Sequence, residues 1–246
     1  MAAQCAAGRS QHRLSSVSEQ EPVKAKRRPA TRMDDGEVQI AFLLFPRVTA
    51  LDAIGPYEVL QRLPGAEVVF VGAERGEVRT DNGYLGLTVD ATIDEVAHPE
   101  VLVVPGGMGT RPLVKDETIL GWIRQVHETS LFTTSVCTGS LLLAAAGLLD
   151  GLEATTHWGS KKTLEDLGAR YTEQRVVQNG KIITAAGVSS GIDMALTLAA
   201  QLTDPVTAQV MQLFIEYDPQ PPYDSGAPSK ASKAVWDRVA ELRVMG

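Results

Sequence analysis

The chain has 246 residues, 44% of them apolar and 22% charged, with a formal net charge of −7. Residues 1–36 hold seven Lys/Arg and four Asp/Glu, which leaves 16 basic and 26 acidic residues for the rest; so acidic a body argues against a nucleic-acid partner. Two cysteines, Cys5 and Cys137, make no disulfide framework and point to a reducing, cytoplasmic compartment, and no apolar run is long enough to cross a bilayer.

Residues 1–36 are rich in Ser, Gln, Arg and Lys around Lys24-Ala25-Lys26-Arg27-Arg28 and read as a disordered basic leader. The segment lacks the apolar middle of a secretory signal. An organelle-targeting segment, a basic localisation patch, and a start at Met33 are the readings it admits, the last being preferred. From residue 37 to 228 the pattern is that of one folded domain, and 229–246 reads as a helical tail.

Val38 to Phe45 is a continuous apolar run, the mark of a strand buried on both faces. Pro56 then suits the first turn of a helix reaching Leu63. Glu67 to Gly72 is a second strand, and Gly76 to Asp90 reads as short strands around the Asp81-Asn82-Gly83 turn. Val101 to Val104 is a buried strand stopped by Pro105-Gly106-Gly107, followed by a helix over Val114 to Glu128. Leu131 to Val136 is a β-branched strand, and Thr138 to Leu149 a helix of Leu and Ala. A short strand begins at Ala154, and Lys161 to Leu167 is a helix closed by Gly168. Tyr171 to Val177 and Lys181 to Ala185 form a hairpin through Asn179-Gly180. Helices follow over Ile192 to Leu202 and from Asp204-Pro205 to Tyr217, then an irregular stretch from Pro219 to Pro228 and a terminal helix from Lys230.

Strands alternating with helices imply an α/β domain with a mostly parallel sheet covered on both faces. Sites in such sheets form at the carboxyl ends of strands. Asp52, Gly106-Gly107 and Cys137 each follow a strand, so all should lie at one edge. Cys137 sits on a sharp strand-to-helix junction, where the helix N-terminus favours a thiolate and small neighbours keep the sulfur open; a buried, inert thiol is the plain alternative. Asp52 is either a helix N-cap or a carboxyl group beside the sulfur, its pKa raised so that it handles a proton near neutrality. Gly106 and Gly107 make a tight turn or present N–H groups to developing negative charge, with the Thr138 amide opposite. The Thr138 hydroxyl reads as a plain first-turn residue or as a holder of water or substrate. His157, twenty residues on, reads first as a packed strand-end residue and second as the base of a Cys–His pair. Four scattered histidines make no metal site, and no phosphate or dinucleotide loop is present.

In order, Leu51-Asp52 with Gly55-Pro56, Val104-Pro105-Gly106-Gly107, Ser135-Val136-Cys137-Thr138-Gly139-Ser140, Ala154-Thr155-Thr156-His157-Trp158, Gly191-Ile192-Asp193 and Glu216-Tyr217 resemble the ThiJ/PfpI superfamily over Val38 to about Pro228. Within it they resemble the branch that hydrates isonitriles to N-substituted formamides. The resemblance implies a flavodoxin-like, class I glutamine amidotransferase-like sandwich, usually a homodimer, acting on a small molecule without a cofactor. It implies Cys137 as nucleophile, attacking the terminal isonitrile carbon, with Asp52 moving the protons and Thr138 holding water or the aspartate. Other branches place a His after the cysteine or a Glu near it; here Thr138 and Asp52 stand instead. Thr184-Ala185-Ala186-Gly187 departs from the glycine-richer segment of the hydratases and bears on pocket shape. An amidase or glyoxalase-like enzyme, a ligand sensor like the sensing half of AraC-type regulators, and a redox-responsive protein oxidised at Cys137 are the alternatives. The sensor is the weaker of these, because no room remains before Gly246 for a DNA-binding module.

Overall fold

β1 (Val38–Leu43) opens the part of the chain, residues 37–242, that a computed structural model describes; the expected leader over 1–36, with Cys5, and the last four residues of the expected tail lie outside the described residues. α1 (Ala50–Leu60), β2 (Ala66–Gly72), a hairpin of β3 (Gly76–Arg79) and β4 (Gly86–Val89), and β5 (Ala91–Thr92) come next. They are followed by β6 (Val101–Val104), α2 (Thr110–Leu113), α3 (Glu117–Thr129), β7 (Phe132–Val136) and α4 (Gly139–Ala145). β8 (Glu153–Ala154), a 3-10 turn at Trp158–Ser160, α5 (Lys161–Asp166) and β9 (Arg170–Tyr171) lead to β10 (Val176–Asn179) and β11 (Ile182–Ala185). α6 (Ser190–Leu202), α7 (Pro205–Phe214) and α8 (Lys233–Leu242) complete the described chain. No helix among the described residues is long and apolar enough to cross a membrane.

The main sheet has the order β10-β11-β7-β6-β1-β2-β5. β10 runs antiparallel to β11, and every other neighbouring pair is parallel. Period-two alternation divides each central strand between two cores. Ala41, Leu43, Leu102 and Val104 face α3 and α4, while Ile40, Phe42, Val101 and Val103 face α1 and α6. The strand order reverses beside β1: β2 lies on one side of it, β6 and β7 on the other. The crevice at the carboxyl ends of β1 and β6 is where such sheets place their sites.

The helices differ most from the sequence expectation. α1 starts at Ala50, so Pro56 lies inside the helix and Thr49 is its N-cap. The expected start at Pro56 fails because α1 is held by packing against α6. A Cβ on Gly55 would meet Ile192 Cγ1 at 3.2 Å, and one on Gly191 would meet Pro56 Cγ at 3.0 Å. Close approach of the helices thus offsets the hydrogen bond that Pro56 cannot donate. The expected helix over 114–128 is α3, which starts at Glu117 because Asp116 caps it by accepting from the Thr118 and Ile119 amides, and the short α2 before it was not expected. α4 is shorter than expected and ends before Gly147, whose φ is +81°. The Asn179-Gly180 hairpin holds only from Val176, since Tyr171 pairs with Ala154 in a separate two-stranded sheet.

β7 can turn into α4 only because Gly139 passes against β6. A Cβ there would lie 2.0 Å from the Val104 carbonyl oxygen. Gly139→Ala is therefore expected to destabilise the fold by about 2 kcal/mol or more, read as a lowered urea midpoint at unchanged slope; wild-type stability would show that the junction is loosely packed.

Candidate active site

Cys137 is the junction residue itself. Its φ is +57°, in the left-handed region that a non-glycine residue occupies only under constraint. The constraint comes from four hydrogen bonds. Its amide donates to the carbonyls of Ala185 and Ala186 at 3.1 and 3.0 Å. Its carbonyl accepts from Ser140 Oγ at 3.1 Å and Thr156 Oγ1 at 3.0 Å. Thr156 is a role that sequence reasoning missed; its neighbour His157 had drawn the attention in that motif.

Asp52 lies in the first turn of α1 and is wholly buried, so the N-cap reading is corrected. The carboxyl group reaches across the crevice and accepts from the Gly106 amide at 3.0 Å through Oδ2, while Oδ1 has no protein partner. The Cys137 thiol lies close enough to the same carboxyl group for each to shift the other's ionisation. The Gly107 amide donates to Thr138 Oγ1 at 2.9 Å, and that hydroxyl also contacts the Gly107 carbonyl at 3.2 Å and Thr110 Oγ1 at 3.2 Å. Both glycine amides thus hold internal partners and do not face a reacting oxygen, which corrects the expectation of an oxyanion-binding pair. The Thr138 hydroxyl holds the Gly106-Gly107 turn through these bonds. Close approach demands glycine here: a Cβ on Gly106 would meet the Thr138 amide nitrogen at 2.5 Å and Asp52 Oδ2 at 2.8 Å.

The electrostatics overturn the expected resting thiolate. Burial pushes the Cys137 thiol well above its ordinary value, and the charge of Asp52 adds to the shift; hydrogen bonds from the Val188 and Thr138 amides oppose it but do not win. The short helix α4 does not compensate for that desolvation. Asp52 behaves as expected: burial raises it from 3.8 to about 7, against the lowering effects of the Gly106 amide and the Cys137 thiol. Thiol and carboxyl group therefore titrate as a pair that retains a proton at neutral pH.

The sulfur, though only 5% of the residue is exposed, lines an open cleft of about 410 Å³. Thr49, Asp81, Met108, Arg111, His157 and Trp158 are among its walls. Asp81, expected only as a turn residue, accepts from the Met108 amide at 3.0 Å and from Thr49 Oγ1. His157 Nδ1 accepts from the Gly159 amide at 3.2 Å, and burial followed by the Arg111 charge lowers its pKa. His157 is therefore a neutral wall residue capping the 3-10 turn, as its first reading held. Among the described residues no cluster of His, Cys, Asp and Glu could hold a metal ion.

The profile of the DJ-1/PfpI family matches residues 38–201. The chain is 47% identical over 200 residues to an isonitrile hydratase of Pseudomonas putida, a match spanning 81% of this chain and 87% of that one. It is 29% identical over 185 residues to an HTH-type transcriptional regulator of Pseudomonas aeruginosa, covering 71% of this chain and 54% of that one. The crystal structure of a ThiJ/PfpI family protein from Pseudomonas syringae superposes with a TM-score of 0.81 at 36% identity, covering 90% and 94% of the two chains.

A carboxyl group with a raised folded pKa favours the folded state at low pH. That contribution is complete below pH 3.8 and is lost as pH climbs through about 7, amounting to a difference on the order of 4 kcal/mol. Asp52→Asn keeps an acceptor for the Gly106 amide and cannot ionise. Urea unfolding should show the variant gaining on wild type as pH is raised from about 5 to about 8; a pH-independent difference would mean that Asp52 titrates like an exposed carboxyl group.

Proposed function

Since the chain belongs to the DJ-1/PfpI family, and from the geometry at Cys137, we propose that it hydrates isonitriles to N-substituted formamides, with Cys137 as nucleophile and Asp52 as the group that moves protons. The observation that carries this reading is the buried pair: a thiol beside a carboxyl group brought to about pKa 7, in a chain 47% identical to an isonitrile hydratase.

The geometry suits addition at a single carbon. The terminal carbon of R–N≡C accepts both a nucleophile and a proton. The Cys137 S–H proton passes to Asp52 and from there to that carbon as the S–C bond forms, leaving R–N=CH–S–Cys137. Because the thiol gives up its proton only as the bond forms, no resting thiolate is required. A water then attacks the same carbon. Asp52 takes one proton from the water and passes it to the imine nitrogen, giving a tetrahedral carbon that bears OH, NHR and sulfur. Breakage of the C–S bond releases R–NH–CHO, and the hydroxyl proton returns through Asp52 to the sulfur. Oδ1, the buried carboxyl oxygen without a protein partner, is the one left to exchange protons with the reacting groups. Thr138 acts at one remove: it fixes the turn whose Gly106 amide orients the other oxygen.

A second copy of the chain is the proposed partner. α7 contains no charged residue, yet Val206, Leu213 and Phe214 are 68%, 77% and 71% exposed. Large apolar side chains on one helix mark a surface that an oligomer covers. A cytoplasmic location is proposed on cysteine usage.

With cyclohexyl isocyanide, mass detection should find the N-substituted formamide and a transient Cys137 adduct, and methylglyoxal should persist in the same preparation. Cys137→Ala should abolish turnover, and Asp52→Asn should lower kcat/KM roughly a hundredfold or more. In wild type, kcat/KM should rise with pH up to about 7, where Asp52 becomes the carboxylate that accepts the thiol proton; this limb should vanish in Asp52→Asn. Full activity of purified Cys137→Ala would end the covalent route.

A further inference from the structure

The cleft at Cys137 does not end at its far wall. A second open pocket of about 490 Å³ adjoins it, and the two share His157, Trp158 and Val188 as lining residues. Each is within the roughly 300–1,000 Å³ that whole drug-sized ligands occupy, far more than an isonitrile group requires. Leu51, Tyr171, Ala186 and Pro228 give the second pocket apolar surface, beside the polar Glu173, Gln174 and Ser190. Its guanidinium, from Arg175, is already tied to Asp193, Ser189 and Tyr217, so the pocket presents no free cation to an anionic ligand. The roof comes from Gly226 to Ser229, in the irregular segment before α8.

The wall between the pockets is itself held from the C-terminal helix. Trp158 stacks with the His157 ring at 5.2 Å on one side. On the other it receives the Trp236 ring of α8 edge-on, centroids 5.1 Å apart with planes at 88°. Around that contact a small open pocket of about 120 Å³ is lined by Trp158, Ala227, Pro228, Val235, Trp236 and Val239. α8 has no fully buried residue, so the Trp158–Trp236 contact is a main point at which this helix touches the site.

We infer that the second pocket is the subsite for the R group of the substrate, and that the chain is built for isonitriles bearing a large, uncharged, mainly apolar R group laid across Trp158, with Trp236 as the residue that positions this wall. The inference rests on the hydratase reading for the reaction but not for the cavity. The isonitrile carbon sits at the sulfur, R passes Trp158 and His157, and the Gly226–Ser229 roof closes over it. A methyl isonitrile leaves the pocket unfilled and gains none of its apolar contact.

The test compares 2-naphthyl with methyl isonitrile on wild type, Ala227→Trp, which fills the pocket, and Trp236→Ala, which releases Trp158. In wild type kcat/KM should favour the naphthyl compound. Both substitutions should cut the naphthyl-to-methyl ratio, by roughly three- to tenfold for Trp236→Ala, through KM and not kcat, and Trp236→Phe should restore most of it. In parallel, the rate of Cys137 alkylation by iodoacetamide and by an N-naphthyl iodoacetamide is measured on the same proteins. That ratio should shift in the same direction without any isonitrile turnover. If no isonitrile reacts but the alkylation ratio responds, the subsite stands and the hydratase reading falls. If turnover is normal and neither ratio responds to either substitution, the subsite falls and the hydratase reading stands.

Discussion

A carboxyl group with no access to solvent, set against a thiol at the carboxyl ends of the central strands, is the constraint on which the rest of this structure depends. Water would solvate both groups and leave them independent. Burial makes them one titrating unit in which a proton is retained near neutrality, and it raises both groups together. The usual picture of an elbow cysteine, a thiolate sustained by a helix N-terminus, does not hold here. α4 is short, and two backbone amides at the sulfur do not outweigh desolvation. The pair is therefore suited to chemistry in which the nucleophile gives up its proton only as it forms a bond.

Holding an uncompensated carboxyl group in the interior costs stability, and several elements meet that cost by rigid placement. α1 carries Asp52 in its first turn because the helix is seated on α6 through Gly55 and Gly191. The turn after β6 supplies the Gly106 amide, and Thr138 fixes the turn by taking the Gly107 amide. Gly139 lets the chain leave β7 against the backbone of β6. The short motifs scattered along the chain, Gly55-Pro56, Gly106-Gly107, Thr138-Gly139 and Gly191-Ile192, are in this light one packing arrangement around two side chains. Most of them touch no substrate. They set the distance between helices and turns that would otherwise hold Asp52 and Cys137 apart.

The wider cleft is assembled from elements remote in sequence. The β3–β4 turn contributes Asp81, α2 contributes Arg111, and the segment after β8 contributes His157 and Trp158. The C-terminal helix contributes through Trp236 at the back of Trp158. The reacting pair is therefore set in the central sheet, while the walls come from loops and from a helix that buries little of its own surface. This is the division expected where a fixed chemistry meets variable substrates.

Much of the core architecture was legible in the chain. Continuous apolar runs at Val38 and Val101 have no polar face, so only strands covered on both sides suit them, and alternation with helices makes the sheet parallel. The rule that sites collect at strand carboxyl ends brought Asp52, Gly106 and Cys137 to one edge, and the structure places them there. What sequence could not supply was decided by contacts between distant segments. Pro56 looked like a helix start because local preference favours it there, yet the α1–α6 interface admits it mid-helix. Gly106 and Gly107 looked free to bind an anion because nothing local shows that Asp52 and Thr138 take their amides. The ionisation of Cys137 was misjudged for the same reason: a helix N-terminus is visible in sequence, whereas the depth of burial that outweighs it exists only once the sheet and its two helical layers have closed over the sulfur.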